Sequence, residues 1–275
     1  MQVGDFDFYH EFLEERCGLT LSEDQTYLLQ SRLGPISKQW GFETIKDMTF
    51  SLRALPDVTL ISAIISAMSN TETAFFRDLK PFAYIENHIL PELGNNSFIQ
   101  KPLQIWSAGC SSGQEAYSLA MICERGKKHL KANWWSTSYA IWATDIAENI
   151  LHQAHEGQYL QSEIQNGLPS SYMIEFCKQK EQGWSIAKKI KKHIIFQDYN
   201  IIDNAKPPGI FSLILCRYVL ESMSKRAQTL SLEKFAACLP RDRYLFLGTK
   251  ENIQNAILDE HFTMVPDHPG VYKRN

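Results

Sequence analysis

The sequence predicts an α/β chain in which a small all-helical N-terminal domain precedes a mainly parallel β-sheet covered by helices. Three observations predict it. Apolar residues recur at helical spacing from Phe6 to about Leu79. After Pro102, short apolar runs alternate with amphipathic stretches, the pattern of consecutive βαβ units. The run Ile210 to Cys216 is almost continuously apolar, as a central strand covered on both faces must be. A length of 275 residues accommodates one large α/β domain and a smaller one, and 44% hydrophobic residues supply a core for both.

Taken in order, Phe8, Phe12 and Leu13 mark a first helix, Leu28, Leu29 and Leu33 a second, and Ile61, Ile64, Ile65 and Met68 a later one. Thr20 and Ser22 offer capping oxygens before the second helix, and Gly34-Pro35 predicts an interruption after Leu33. The strands expected beyond Pro102 are Leu103 to Ala108, Tyr139 to Thr144, His193 to Gln197, Phe211 to Cys216 and Tyr244 to Gly248. Between Gln158 and His193 the pattern turns irregular and lysine-rich, which suggests an inserted lobe.

A net charge of -3 argues against a surface organised around nucleic-acid phosphates. The N-terminus carries no basic and apolar leader pattern and no stretch approaches a membrane span, so a soluble chain that is not exported by a cleaved signal is expected. Cysteines 17, 110, 123, 177, 216 and 238 include no CxxC pair, which fits reduced cytoplasmic thiols better than a zinc ribbon or a disulfide scaffold. His152 and His155 stand three apart without a further ligand at suitable spacing and read as a surface pair, so no metal is expected.

Two segments point to a nucleoside. The first strand runs into Ser107-Ala-Gly-Cys-Ser-Ser-Gly113 and then the helix from Gln114, so small residues and a helix N-terminus meet where a ligand can approach the backbone. A tight structural turn is the plainer alternative, since the full GxGxxG is missing. The second strand ends on Asp145, whose carboxylate can accept from both ribose hydroxyls, or can instead cap the helix that begins near Ala147. Together these features support adenosine binding and leave S-adenosylmethionine and NAD both open.

Longer stretches carry a resemblance. Ser69-Asn-Thr-Glu-Thr-Ala-Phe-Phe-Arg-Asp78, Ile105 to Met121 with its Gly-Cys-Ser-Ser-Gly loop, and Ala143-Thr-Asp145 with Ala154-His-Glu-Gly-Gln-Tyr159 resemble the CheR-type chemoreceptor methyltransferases. Glu15-Arg-Cys-Gly18, Ser31-Arg-Leu33, Phe196, Asn200, Cys216-Arg217 and Leu247-Gly248 extend it over nearly the whole chain. The resemblance implies a doubly wound, class I methyltransferase-like sheet, divided as helical residues 1–69, a linker and connecting helix over 70–101, and a cofactor domain over 102–275 with a small β-lobe at about 158–193. It implies S-adenosyl-L-methionine as cofactor, with S-adenosyl-L-homocysteine as product. Thr71, Thr73 and Arg77 would contact it from the linker, and Gly109, Glu115, Asp145, Asn200, Ile201, Cys216 and Arg217 would line the rest of its pocket. Glu115 would meet the methionine ammonium and Asp145 the ribose. The implied reaction is methyl transfer to glutamate carboxylates on the cytoplasmic helices of a chemoreceptor, by a monomer acting in the cytoplasm. A glutamate near neutral pH is already the required carboxylate, so no base is needed. Arg77 fits the part of catalytic group, because guanidinium engages both carboxylate oxygens in a fixed fork.

Some positions depart from the family pattern. Tyr218 replaces an asparagine after Cys216-Arg217, Ser222 replaces a tyrosine, Ser212 replaces an aspartate, Asn70-Thr71 inverts the usual Thr-Asn, and Pro240 to Arg243 replaces a glycine-rich turn. The alternative to an active transferase is therefore a catalytically weak or inactive relative that binds cofactor or receptor. Between Phe176 and Phe196, Lys178, Lys180, Lys188, Lys189, Lys191 and Lys192 stand against the single acid Glu181, and read equally as a docking face for an acidic partner or as a solvated surface.

Overall fold

The computed structural model describes residues 3–95, 102–129, 138–207 and 209–275. Four helices come first: α1 (Val3–Cys17), α2 (Thr26–Gln39), α3 (Ile45–Ala54) and α4 (Val58–Met68). Their apolar stripes close on one another around Tyr9, Leu13, Leu29, Leu33, Met48 and Ile64. Local chemistry marks the starts. The Thr44 hydroxyl accepts from Asp47 N–H while the Asp47 carboxylate accepts from Thr44 N–H, and Asp57 accepts from Thr59 and Leu60 N–H at 2.8 and 2.9 Å. Ser22 opens a 3-10 turn over Glu23–Gln25 that leads into α2. Thr20 instead donates its N–H to the Ser222 carbonyl, tying the helical region to a loop beyond the sheet.

The expected break at Gly34-Pro35 does not occur: α2 runs through Pro35. A proline inside a helix costs about 3 kcal/mol. Here the buried residues straddle it, Leu29 and Leu33 before and Ile36 and Ser37 after, so breaking the helix would expose one end of its packed face. The Arg32 guanidinium caps α4, donating to the carbonyls of Ala67, Met68 and Ser69 at 3.3, 2.9 and 3.3 Å. That fixes where the chain leaves α4.

After α5 (Lys80–Tyr84), a π turn and α6 (Leu90–Asn95), the α/β region begins. Residues 96–101, where the expected linker ends, lie outside the described residues. The larger sheet is built from β1 (Leu103–Ala108), β2 (Tyr139–Asp145), β6 (Ile194–Asp198), β7 (Leu213–Leu215), β8 (Tyr244–Phe246), β9 (Phe262–Met264) and β10 (Val271–Arg274), in the order β6-β2-β1-β7-β8-β10-β9. All neighbours pair in parallel except β10, which runs antiparallel to β8 and β9. The strand order reverses at β1, so the carboxyl ends of β1, β2 and β7 open onto a crevice.

Two cores cover the two faces. Ile105, Leu213 and Leu215 pack with α7 (Gln114–His129), whereas Trp106, Ile214 and Cys216 pack with α12 (Lys225–Cys238). This confirms the doubly wound α/β class with helices ahead of it. The inserted lobe is a three-stranded sheet, β3 (Gln158–Tyr159), β5 (Gly183–Ile186) and β4 (Cys177–Lys180), with β5 in the middle. Short helices α9 (Gln161–Gln165), α10 (Ser170–Phe176) and α11 (Lys188–Lys191) accompany it, and Tyr159, Tyr172, Phe176 and Ile190 join the core on the α7 face. Helices α8 (Glu148–Glu156) and α13 (Ala256–His261) and a 3-10 turn over Leu220–Ser222 complete the described elements. Among the described residues, no helix is long and apolar enough to cross a membrane.

Candidate functional site

The loop after β1 is held from several sides. Gly109 and Cys110 donate their N–H groups to the Thr144 carbonyl at 2.8 and 2.9 Å. Gly109 has φ +77, and a Cβ there would lie 2.4 Å from Cγ2 of Val219, so conformation and space both demand glycine. Ser111 is also left-handed, at φ 50. Its N–H donates to Asp145 Oδ2 and its hydroxyl to the Thr71 carbonyl, each at 2.8 Å. The Tyr159 phenol closes the loop from the lobe, donating to the Ser112 carbonyl at 2.6 Å.

Asp145 therefore does two things. Its Oδ1 accepts from Ala147 N–H at 3.0 Å, so the carboxylate shapes the turn into α8 as well as fixing the glycine loop. Burial pushes its carboxyl above the usual aspartate range, against the backbone N–H donors of Ala147, Ser111 and Ile146. It lines a cleft of about 580 Å³ together with Gly109, Asn200 and Ile201, closed on other sides by Leu19 and Met223. The Asn200 amide donates to the Arg16 carbonyl at 2.7 Å and so brings the end of α1 to this cleft.

A second cleft, of about 410 Å³, adjoins the first and shares Asn70, Gly109, Tyr218 and Val219 with it. Thr73, Arg77, Glu115 and Arg217 line it. Glu115 accepts from the Ser107 hydroxyl at 2.8 Å on Oε1, and from Arg217 Nη1 at 3.2 Å on Oε2. Arg217 is buried, its side chain 2% exposed; Nη2 donates to Asp78 Oδ2 at 2.6 Å and to the Arg77 carbonyl at 2.9 Å, while Nε has no hydrogen-bond partner among the described residues. The Arg77 guanidinium lies 4.0 Å from the centre of the Tyr218 ring, and Nη1 donates to the Glu72 carbonyl at 2.8 Å.

The segment that presents Arg77 is strained. Phe76, Asp78 and Leu79 all have positive φ, at 48, 70 and 54°. Leu79 has ψ -54, and Lys80 N–H returns to the Asp78 carbonyl at 2.5 Å, a γ-turn of the rarer hand. Each such residue costs on the order of 1–3 kcal/mol and persists only where its surroundings hold it. Here Phe75 stacks edge-on to Tyr159, Phe76 packs on Tyr172 and Phe82, and Phe76 N–H donates to the Ser118 hydroxyl at 3.0 Å.

Tyr218 is likewise left-handed, at φ 62. Its ring lies against Gly248, where a Cβ would stand 2.7 Å from Cε1. The phenol donates to Asp78 and lies 3.2 Å from the Thr249 hydroxyl, which itself donates to Asp78 at 3.1 Å. The backbone is anchored by Glu251, which accepts from the N–H groups of Tyr218, Gly248 and Glu221. Burial raises the Glu251 carboxyl against these donors. Burial also acts to raise Asp78, but the Tyr218 phenol, the Arg217 guanidinium and the Thr249 hydroxyl outweigh it and hold that carboxyl below its usual range.

The structure thus gathers Thr73, Arg77, Gly109, Glu115 and Arg217 around one cleft and Gly109, Asp145, Asn200 and Ile201 around its neighbour. Thr71 and Cys216 line neither. Thr71 offers its carbonyl to Ser111, and the Cys216 thiol is buried in the core beside Trp106 and Ile214, which pushes its pKa well up. Asp78, Thr249 and Glu251 escaped the reading of the sequence. Asp78 adjoins the Phe-Phe-Arg run, whereas Thr249 and Glu251 carry no local mark of the site.

Of the six lobe lysines, two are engaged internally. Lys191 donates to the Glu156 carbonyl and Lys189 lies 4.7 Å from the centre of the Phe176 ring. Lys178, Lys180, Lys188 and Lys192 are exposed. His152 is exposed too, 3.9 Å from Glu156.

A family model described as "CheR methyltransferase, SAM binding domain" matches residues 71–270. The chain is 31% identical to the chemotaxis protein methyltransferase Cher2 of Pseudomonas putida, over 98% of each chain. It is 32% identical to chemotaxis protein methyltransferase 1 of Pseudomonas aeruginosa, over 98% of this chain and 97% of that one. Against the chemotaxis protein methyltransferase of Vibrio parahaemolyticus the identity is 31%, over 96% of this chain and 94% of the other.

Proposed function

The chain belongs to the CheR methyltransferase family, and from that premise we propose that it transfers the methyl group of S-adenosylmethionine to glutamate side chains of a chemoreceptor. The observation that carries this reading is the pair of adjoining clefts, with half-buried Asp145 in one, buried Glu115 in the other and an arginine at the opening. On this reading Asp145 would accept from the ribose hydroxyls and Glu115 would meet the ammonium, with Gly109 lining both clefts between them. The unpartnered Arg217 Nε is a further buried donor in the same wall. This donor and acceptor set fits an amino-acid nucleoside.

Held by Asp145 at the ribose and Glu115 at the ammonium, S-adenosylmethionine would supply an activated methyl to a carboxylate oxygen, its sulfur keeping the bonding pair. The residues of this chain need only bind, orient and exclude water, because the nucleophile arrives ionised. Arg77 is suited to orienting the acceptor: its guanidinium is steadied on the Tyr218 ring, and its side chain remains 25% exposed at the opening. We assign the cytoplasm as the place of action and the exposed lobe lysines as a face for an acidic partner. The test is transfer of labelled methyl from S-adenosylmethionine to membranes that contain chemoreceptors. Base-labile label on the receptor is the expected result; label elsewhere would redirect the substrate assignment.

One observation favours a second reading, that transfer is weak. Two hydroxyls are already committed: Ser222, in the first cleft, donates to the Val219 carbonyl at 2.9 Å, and Tyr218, in the wall the clefts share, donates to Asp78. Neither proton is free for an incoming carboxylate. Replacing Ser222 by tyrosine, the residue of the family pattern, is expected to raise the single-turnover rate by about tenfold or more while leaving S-adenosylhomocysteine affinity nearly constant. An unchanged rate in Ser222→Tyr would remove Ser222 as the cause of weak transfer.

A further inference from the structure

Arg217 lies between two carboxylates. Nη1 meets Glu115 at 3.2 Å and Nη2 meets Asp78 at 2.6 Å, so the shorter pairing is with the residue outside the cleft lining. With one carboxylate alone, Arg217 would cancel the charge of Glu115 in a wall where both side chains are largely removed from water. With two, the three groups carry one net negative charge, and of the two acids it is Glu115 that lines the cleft, beside Arg217. Asp78 is held for this task by its surroundings. Its backbone is left-handed, the γ-turn at Leu79 follows it, and its Oδ2 accepts from Arg217, Tyr218 and Thr249.

We propose that Asp78 is a positioning residue that sets the charge at the amino-acid end of the cavity, taking up the charge of Arg217 so that Glu115 remains an anion toward the cofactor's ammonium. The inference rests on the cofactor reading given above. It predicts a selective effect. A ligand with an ammonium depends on Asp78, and a ligand with the same nucleoside but no amino-acid end does not. Asp78→Asn keeps the shape and an acceptor for Tyr218 and Thr249 while removing the charge.

The experiment is calorimetry with S-adenosylhomocysteine and with 5′-methylthioadenosine, which lacks the ammonium and the carboxylate. The intact protein is expected to bind both. Asp78→Asn is expected to weaken S-adenosylhomocysteine by about 10- to 100-fold, the range for losing a charge-assisted contact, and to leave methylthioadenosine within about twofold. Asp78→Glu, which keeps the charge, should recover most of the lost affinity. Asp78→Ser carries the same comparison if the asparagine variant does not fold. Equal losses for the two ligands would mean that Asp78 only supports the fold of the site, and no loss for either would mean that its charge is not felt there; both results overturn the inference. Failure of the intact protein to bind either ligand overturns the pocket reading, and this inference with it.

Discussion

Asp145→Ala is expected to abolish measurable binding of S-adenosylhomocysteine. Two ribose hydroxyls donating to an ionised carboxylate are together worth about 3–6 kcal/mol, or about two to four orders of magnitude in affinity. The structure adds a second loss. Ser111 and Ala147 N–H both end on this carboxylate, so alanine also removes the acceptor that holds the glycine loop against β2. Asp145→Asn keeps an acceptor for one of these donors and is expected to fall between the two. Calorimetry showing unchanged affinity in the alanine variant would reject Asp145 as the ribose acid.

The same residue sets a pH dependence. Burial holds the Asp145 carboxyl above the usual aspartate range, and hydroxyl donors favour the ionised form. Affinity is therefore expected to be full above that raised pKa and to fall as pH drops through it, earlier than for an ordinary aspartate. Asp145→Asn, with nothing to titrate at that position, should lose this limb of the profile.

Arg77→Ala carries the second large effect, a fall in turnover of about 100- to 1000-fold with a much smaller change in cofactor affinity. A residue that orients the acceptor acts in the transition state, so kcat should fall while S-adenosylhomocysteine affinity changes little. The guanidinium already has a fixed place, over the Tyr218 ring and on the Glu72 carbonyl, which limits how far it must move to meet a substrate carboxylate. Arg77→Lys keeps the charge but not the planar fork, and should recover only part of the rate. Equal losses in turnover and affinity would make Arg77 a clamp on the cofactor instead.

The strands around the crevice were legible as short, mostly apolar runs, and the run through Leu213 to Leu215, apolar on both faces, has the form of a buried central parallel strand. Asp145 was legible because an acid closing such a run stands at the carboxyl edge of the sheet. Gly34-Pro35 misled for the converse reason. A proline's local cost of about 3 kcal/mol is visible in the sequence, whereas the packing of Leu29, Leu33 and Ile36 that carries α2 across it is not.

By itself, then, the sequence determined the α/β class, the helical start, the glycine loop with its acid and, through long shared motifs, the methyltransferase family. Those features are written in periodicity and in residues that are close along the chain. Only the tertiary structure decided that Asp78 would hold Arg217, Tyr218 and Thr249, residues 139, 140 and 171 positions away. The same is true of Glu251, which anchors the left-handed Tyr218 from 33 residues beyond it. These partners meet because β1 separates β2 from β7 and β8 follows β7, which brings the loops after β1, β7 and β8 to one edge. Strand order is a property of the whole packed sheet, and no local pattern of apolar and polar residues encodes which distant loops it will join.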